Sequence, residues 1–403
     1  MSEDNYTEIT SQSWISRIGK SFQGILFGLV LIVVAVCLLV WNEGRAVKRH
    51  RTLQEGSGTV ISVNNNKVNP VNEGKLVHLS GRAVSDEILQ DPVFQVSAKA
   101  LKLYRNVEMY QWEESTTSEE QKKIGGGTEQ VTTYTYQRTW SDSPIDSSGF
   151  KKYEGHQNPN SMPYSGIEFQ ASHVTVGAFS LSPRQVSRIQ TVTPLLLDQE
   201  YSVPESLKTK ARHNTQAIYI GDDPAHPVIG DIRISYSQVL PTEISIIAQQ
   251  TGSSFIPYQT ESHGNILLVS IGTHSAQEMF SAAQQSNTIL TWALRLLGYV
   301  FMAIGLRLLL APLAVLSDLL PLLGNIVGAG TGLISGLIAA LFSCLTIGIA
   351  WILYRPVLTI ILFVIAGGLA FLTTLVLQKN GAKTGHAPAH NGRPAPPPPP
   401  PGS

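Results

Sequence analysis

Seven of the eight histidines in the polar middle of the chain, His78, His156, His173, His213, His226, His263 and His274, and the adjacent carboxylates Asp222 and Asp223 are candidates for holding a metal or moving a proton. A helical zinc site needs two histidines four residues apart with a glutamate after the first, and none of these seven has that spacing. Both cysteines, Cys37 and Cys344, sit inside apolar runs, which excludes a thiolate zinc site and a disulfide framework. Adjacent side chains point apart, so Asp222-Asp223-Pro224 reads as a turn. Gly125-Gly126-Gly127 lacks the lysine and hydroxyl ending of a phosphate cradle and reads as a hairpin tip. No Gly-x-Ser-x-Gly elbow occurs. Glu73 and Glu108 read as hydrogen-bonded structural groups. The expectation is a protein without catalytic, cofactor or metal sites. With a formal net charge of zero and no basic motif, nucleic acid is not an expected partner.

Spacing elsewhere speaks of assembly. Gly324, Gly328, Gly332 and Gly336 recur every fourth residue, which on a helix clears one face of side chains and lets another backbone approach in lipid. Packing within one chain and packing between chains both fit. Arg307 and Asp318 lie in an apolar region, where ionisable groups mark function by default. Arg307 is near the end of its span, where a long side chain snorkels to the interface.

These residues need elements to carry them. Charged residues make up 14% of the chain, against about 25% in soluble domains, and the deficit is concentrated in two stretches. Residues 1–24 read as a polar, disordered start followed by an amphipathic surface helix on which Trp14, Ile18 and Phe22 share a face; the same residues also fit the first turns of a spanning helix. Residues 25–41 are uncharged and, with flanking turns, long enough to cross a bilayer. Residues 42–288 alternate short β-prone runs with turn signals, the pattern of a sandwich or barrel-like domain. There Tyr104, Tyr110, Trp112, Tyr134, Tyr136 and Trp140 read as cross-strand pairs. Residues 289–377 hold three further spans, with 312–330 as an optional re-entrant helix. Residues 378–403 form a solvated tail ending in Pro396–Pro401. The fold class is therefore an α+β membrane protein: one N-terminal spanning helix, a large β-rich extramembrane domain and a C-terminal helical bundle.

Several segments carry a family resemblance. Trp41-Asn42-Glu43-Gly44-Arg45-Ala46 follows the first span, then Asn72-Glu73-Gly74-Lys75 and Val107-Glu108-Met109-Tyr110-Gln111-Trp112. Gly155-His156-Gln157-Asn158-Pro159, Gly230-Asp231-Ile232-Arg233, Thr291-Trp292-Ala293-Leu294-Arg295 and Tyr354-Arg355-Pro356 come after in order. From about Trp14 to about Gly367 the chain resembles the transmembrane protein 43 family, also called LUMA. The resemblance implies four spans, with the large domain between the first and second. It also implies animal members in the endoplasmic reticulum and inner nuclear membrane. These associate with themselves, with emerin and with lamins, organise membrane protein complexes and bring no catalytic residues. The proline tail and the glycine repeat depart from the family pattern. In a bacterial relative the address would be the cytoplasmic membrane.

Charge alone points the other way on topology. Arg45, Lys48, Arg49 and Arg51 outnumber Arg17 and Lys20, which would place the domain on the cytoplasmic side. The resemblance implies cytoplasmic termini and a lumenal or periplasmic domain, and long domains weaken the charge rule. The expected function is a multi-pass scaffold that self-associates in lipid and binds other membrane proteins. A channel or transporter, or a membrane enzyme with an unrecognised site, are the alternatives.

Overall fold

The computed structural model describes residues 4–123, 127–197, 203–204, 211–213, 216–317, 321–357 and 359–360. The chain opens with strand β1 (Asp4–Gln12) and helix α1 (Trp14–Thr59). Strands β2 (Ile61–Ser62), β3 (Leu76–Val84), β4 (Leu89–Gln90) and β5 (Ser97–Ala98) lead into a long hairpin of β6 (Lys102–Lys122) and β7 (Thr128–Ser141). There follow β8 (Ile167–Gln170), β9 (Val174–Val176), β10 (Phe179–Leu181), the single turn α2 (Pro183–Val186), β11 (Val192–Leu195), β12 (Ala211–His213) and β13 (Ala217–Ile220). Next come β14 (Ile232–Val239), β15 (Thr242–Thr251), β16 (Ser254–Ile256), β17 (Tyr258–Gln259), β18 (Asn265–Ile266) and β19 (Leu268–Ile271). Helices α3 (Ala276–Ser317) and α4 (Pro321–Tyr354) complete the described chain.

The strands form two main sheets. One runs β1-β7-β6-β14-β13-β12, with β8 on β6 and β11 on β14, and nearly closes on itself. The other runs β10-β9-β3-β15-β16, with β19 on β15 and β2 on β3. Period-two alternation explains the packing. In β14, Ile232, Ile234 and Tyr236 point into the core while Arg233 and Ser235 point out. Facing them, Val77 and Leu79 of β3 and Ile244 and Ile246 of β15 complete one shared core with Phe94, Leu103 and Phe179. This is the β-rich domain that the strand pattern predicts.

The N-terminus differs from expectation. Residues 4–12 form β1, paired antiparallel with β7 from Asp4↔Tyr136 to Gln12↔Thr128. Alternating Tyr6, Glu8 and Thr10 suit an edge strand, and the polar composition that suggested disorder is that of a two-sided exposed ribbon. Ser13 caps α1, accepting from the Ser16 N–H. Residues 14–24 are thus the first turns of α1, not a separate surface helix. The helix then runs unbroken past residue 41 to Thr59, and α3 begins at Ala276, before residue 289. Domain and membrane segments therefore share continuous helices. Leu53 of α1 and Met279 and Phe280 of α3 pack with Leu76 and Ile247 of the second sheet and with Ile266 of β18. The segment 312–330 is divided between two helices: α3 continues through Pro312, and α4 starts at Pro321. Span Pro356–Leu377 and the proline tail lie almost wholly outside the described residues.

Among the described residues, three helices are long and apolar enough to cross a membrane. Leu26, Phe27, Leu296, Leu337 and Leu353 are exposed along them, as side chains that face lipid are.

Candidate functional site

Where the three apolar helices meet the domain, their side chains form a buried polar knot. Asn287, Thr291 and Arg295 stand four apart and share one face of α3; Asn42, Glu43 and Arg45 of α1 meet them. The Glu43 carboxylate is fully buried. It takes Arg295 Nε at 2.7 Å and Nη2 at 3.0 Å, and Trp351 Nε1 of α4 at 2.8 Å. The Arg295 guanidinium also lies 4.8 Å from the Trp292 ring and 5.8 Å from the Trp351 ring. Arg45 donates to Asn287 Oδ1, Asn42 Oδ1 and Thr291 Oγ1. Asn42 Nδ2 donates to the Thr291 carbonyl and Asn287 Nδ2 to the Ala46 carbonyl. Gly44 has a packing role: a Cβ there would stand 2.7 Å from Cζ of Tyr354. The Arg355 guanidinium lies 6.0 Å from the Trp351 ring. Three motifs far apart in sequence, 41–46, 291–295 and 354–356, therefore share one site. The Glu43 carboxylate and the Arg295 guanidinium satisfy each other, which is what a charge at the mouth of a bilayer requires, while Arg45 Nε is buried without a partner among the described residues.

Close helix approach occurs at glycines outside the predicted repeat. A Cβ on Gly28 would meet the Gly305 carbonyl oxygen at 2.7 Å, and one on Gly305 would meet the Gly28 oxygen at 2.8 Å. Gly298 similarly receives Leu39. Below this crossing Ala35, Met302 and Ala339 form a small core. Of the predicted repeat, Gly336 has the Tyr299 hydroxyl at 3.4 Å from its Cβ position, and Gly332 has nothing within 4 Å. The surroundings of Gly324 and Gly328 lie outside the described residues. Arg307 is exposed on the far half of α3, as a snorkelling side chain would be; Asp318 also lies outside the described residues.

The remaining motif residues hold the aqueous domain together. Asn72 ends a short turn, Glu73 accepts from the Gly252 N–H at 2.8 Å, and Gly74 adopts φ +75°, which favours glycine. Glu108 pairs with Arg233 at 2.7 Å across β6 and β14, and Arg233 lies over the Trp140 ring. Tyr110 packs on Trp140 directly across the hairpin, ring centroids 5.2 Å apart. Trp112 exchanges two backbone bonds with the Asn158 side chain and meets His156 edge-on. Outside this face, Glu108, Trp140, Arg212, Tyr219 and Arg233 border an open cavity of about 510 Å³. Among the described residues no group of three or more His, Cys, Asp or Glu side chains could hold a metal ion.

Deeper in the domain, Asp91 is fully buried and accepts Arg105 Nη1 on both oxygens and the Tyr236 hydroxyl at 2.6 Å. Composition gave no signal for this network, because its members are far apart in sequence.

At the β1 edge, His156 stacks on Tyr136, centroids 4.1 Å apart, and faces Asp4 through Nε2 at 3.1 Å. The Tyr136 hydroxyl donates to Glu114 at 2.6 Å. Burial, and then the neighbouring Glu114 carboxylate, push the Tyr136 phenol up to about 12. Since this exceeds the unfolded value of about 10, the neutral phenol stabilises the fold below pH ~10, and that contribution is lost as pH rises towards 12. Tyr136→Phe is expected to flatten this alkaline limb. Unfolding of wild type and variant in detergent between pH 9 and 12 checks it.

A helical bundle suited to lipid, locked through a buried ion pair to a two-sheet aqueous domain, defines an integral membrane protein. A family model described as Transmembrane protein 43 matches residues 109–356. Transmembrane protein 43 of Rattus norvegicus is 32% identical over 369 residues, covering 88% of this chain and 91% of the relative. That of Homo sapiens is 31% identical over 376 residues, covering 91% and 92%. A homolog in Drosophila melanogaster is 31% identical over 340 residues, covering 83% and 89%. The chain belongs to the transmembrane protein 43 family. No solved structure matches it.

Proposed function

We propose that the protein is a membrane scaffold, not an enzyme, that self-associates through its helices and gathers other membrane proteins around a domain held rigidly at the bilayer. The observation that carries this reading is the outer face of α4. Leu333, Leu337, Leu341 and Leu345 form an exposed ridge along it, and Gly332, on the adjoining face with Gly336 and Ala339, has no described atom within 4 Å of where a Cβ would be. Among the described residues, the close contact that small residues permit in lipid is therefore unmade at this position. The ionisable groups at the membrane junction support the same reading. Glu43 and Arg295 satisfy each other and do not line a path, as a transporter would require. Partners would be membrane lipids, further copies of the chain and other membrane proteins; emerin and lamins are the candidates in an animal. The family suggests the endoplasmic reticulum and inner nuclear membrane, with both termini cytoplasmic and the domain lumenal.

Size measurement in nanodiscs and mild detergent tests the proposal. An oligomer is expected. Gly328→Leu with Gly332→Leu is expected to weaken association about tenfold, the effect of roughly 1–2 kcal/mol per lost helix contact. A monomer at every concentration, or unchanged assembly in the double variant, would contradict it.

A further inference from the structure

The β1–β7 pairing and a bilayer around the helices exclude each other, and this points to an interaction site. The argument rests on the reading that α1 crosses the membrane. Strand and helix are joined by Ser13 alone. The helix starts at Trp14, whose indole donates to the Val315 carbonyl near the end of α3 opposite the Glu43 knot. From Trp14 to Trp41 the helix rises about 40 Å, more than the ~30 Å hydrocarbon layer. The β6–β7 ribbon reaches the same end, where Gln12 pairs with Thr128 and Glu120 stands 3.9 Å from Arg17. It carries Glu113, Glu114, Glu119 and Glu120, and charges in lipid cost several kcal/mol each. The ribbon therefore leaves the helix flank once lipid surrounds it. Residues 4–12 and the domain then lie on opposite faces, and the outer edge of β7 opens, with its backbone donors and acceptors unpaired.

We propose that this edge is a strand-acceptor site for an extended acidic segment of another protein on the domain side, and that β1 is the built-in template for it. The chemistry of the template is explicit. Asp4, Tyr6 and Glu8 alternate along the strand and share one face. Asp4 meets Lys152 at 2.7 Å and His156 at 3.1 Å, and Glu8 meets Lys151 at 2.8 Å. Tyr6 lies against Tyr134, centroids 6.1 Å apart. The partner would thus carry carboxylates four residues apart with an aromatic residue midway. Backbone pairing supplies affinity and the lysines select the acidic face, as in other strand-addition complexes.

The test uses the full chain in nanodiscs and a fluorescein-labelled peptide of residues 4–12, read by anisotropy. Saturable binding is expected. At least tenfold weakening is expected for the peptide with Asp4→Asn and Glu8→Gln, and for the protein with Lys151→Ala and Lys152→Ala. Absent binding, or equal binding by the neutralised peptide, overturns the proposal. So does disulfide formation in the nanodisc by the Ile9→Cys, Val131→Cys protein, since β1 would then still occupy the edge. Sealed vesicles test the underlying reading separately, in a background lacking Cys37 and Cys344. Ser11→Cys and Ser148→Cys are expected to react with an impermeant maleimide from opposite faces. Reaction from one face would remove the single crossing itself, whatever the peptide does.

Discussion

Glu43→Gln is expected to destabilise the protein by about 3–5 kcal/mol, the cost of leaving one member of a buried ion pair without its partner. The Arg295 guanidinium would keep its contacts with Trp292 and Trp351 but lose both bonds to a carboxylate buried to 0% exposure. Trp351 Nε1 would lose an ionised acceptor as well. Because those bonds tie α1, α3 and α4 together, the loss falls on the whole junction. Thermal unfolding in detergent, followed by the size-exclusion profile after heating, should show a melting temperature lower by on the order of 10 °C. A second variant separates charge from packing. Glu43→Met with Arg295→Met removes both charges, and replacing a buried pair by apolar groups of similar volume is close to neutral. The double variant should therefore regain at least half the loss. An unchanged melting temperature in Glu43→Gln would remove the knot as the element that joins bundle and domain.

Asp91→Ala is expected to cost a similar 3–5 kcal/mol, now inside the aqueous domain. Arg105 is buried, with its guanidinium 5.6 Å from the Phe94 ring and Nε on the Ser165 carbonyl. Without Asp91 its charge has no counterion, and the Tyr236 hydroxyl and the Val93 N–H lose their acceptor. Tyr236→Phe removes a single bond to a charged group and should cost about 1.5–3 kcal/mol. Burial and the Asp91 carboxylate hold the Tyr236 phenol far above its usual range, so both variants can be compared at neutral pH without titrating it. Amide exchange of β6 and β14 in the full-length protein reads the difference. Equal protection in Asp91→Ala and wild type would refute the assignment.

The architecture was legible because lipid and water impose different compositions. Ile25–Trp41 could not be mistaken for a domain strand, and the alternation in β14 could not be mistaken for a helix. The knot was legible only in fragments. Asn42, Glu43 and Arg45 stood in one motif and Arg355 in another, and the four-residue spacing of Asn287, Thr291 and Arg295 was the overlooked signal that they face one partner. The glycine repeat drew attention because it was regular. Yet the close crossing is made by Gly28 and Gly305, on two helices far apart in sequence, since a contact between helices needs one small residue on each side at one depth. Residues 4–12 were read as disordered because pairing with β7 is a non-local event that local composition does not encode.

Helix α1 runs without interruption from Trp14 to Thr59, a rod of about 69 Å at 1.5 Å per residue. Its lower half sits among lipids and its upper half is packed into the second sheet, so no hinge isolates one from the other. A span answers a change in bilayer thickness by tilting. Were the rod to lean by about 10°, its upper end would travel roughly 12 Å sideways, carrying the sheets with it. The position of the domain over the membrane is in this way geared to the thickness of the lipid beneath.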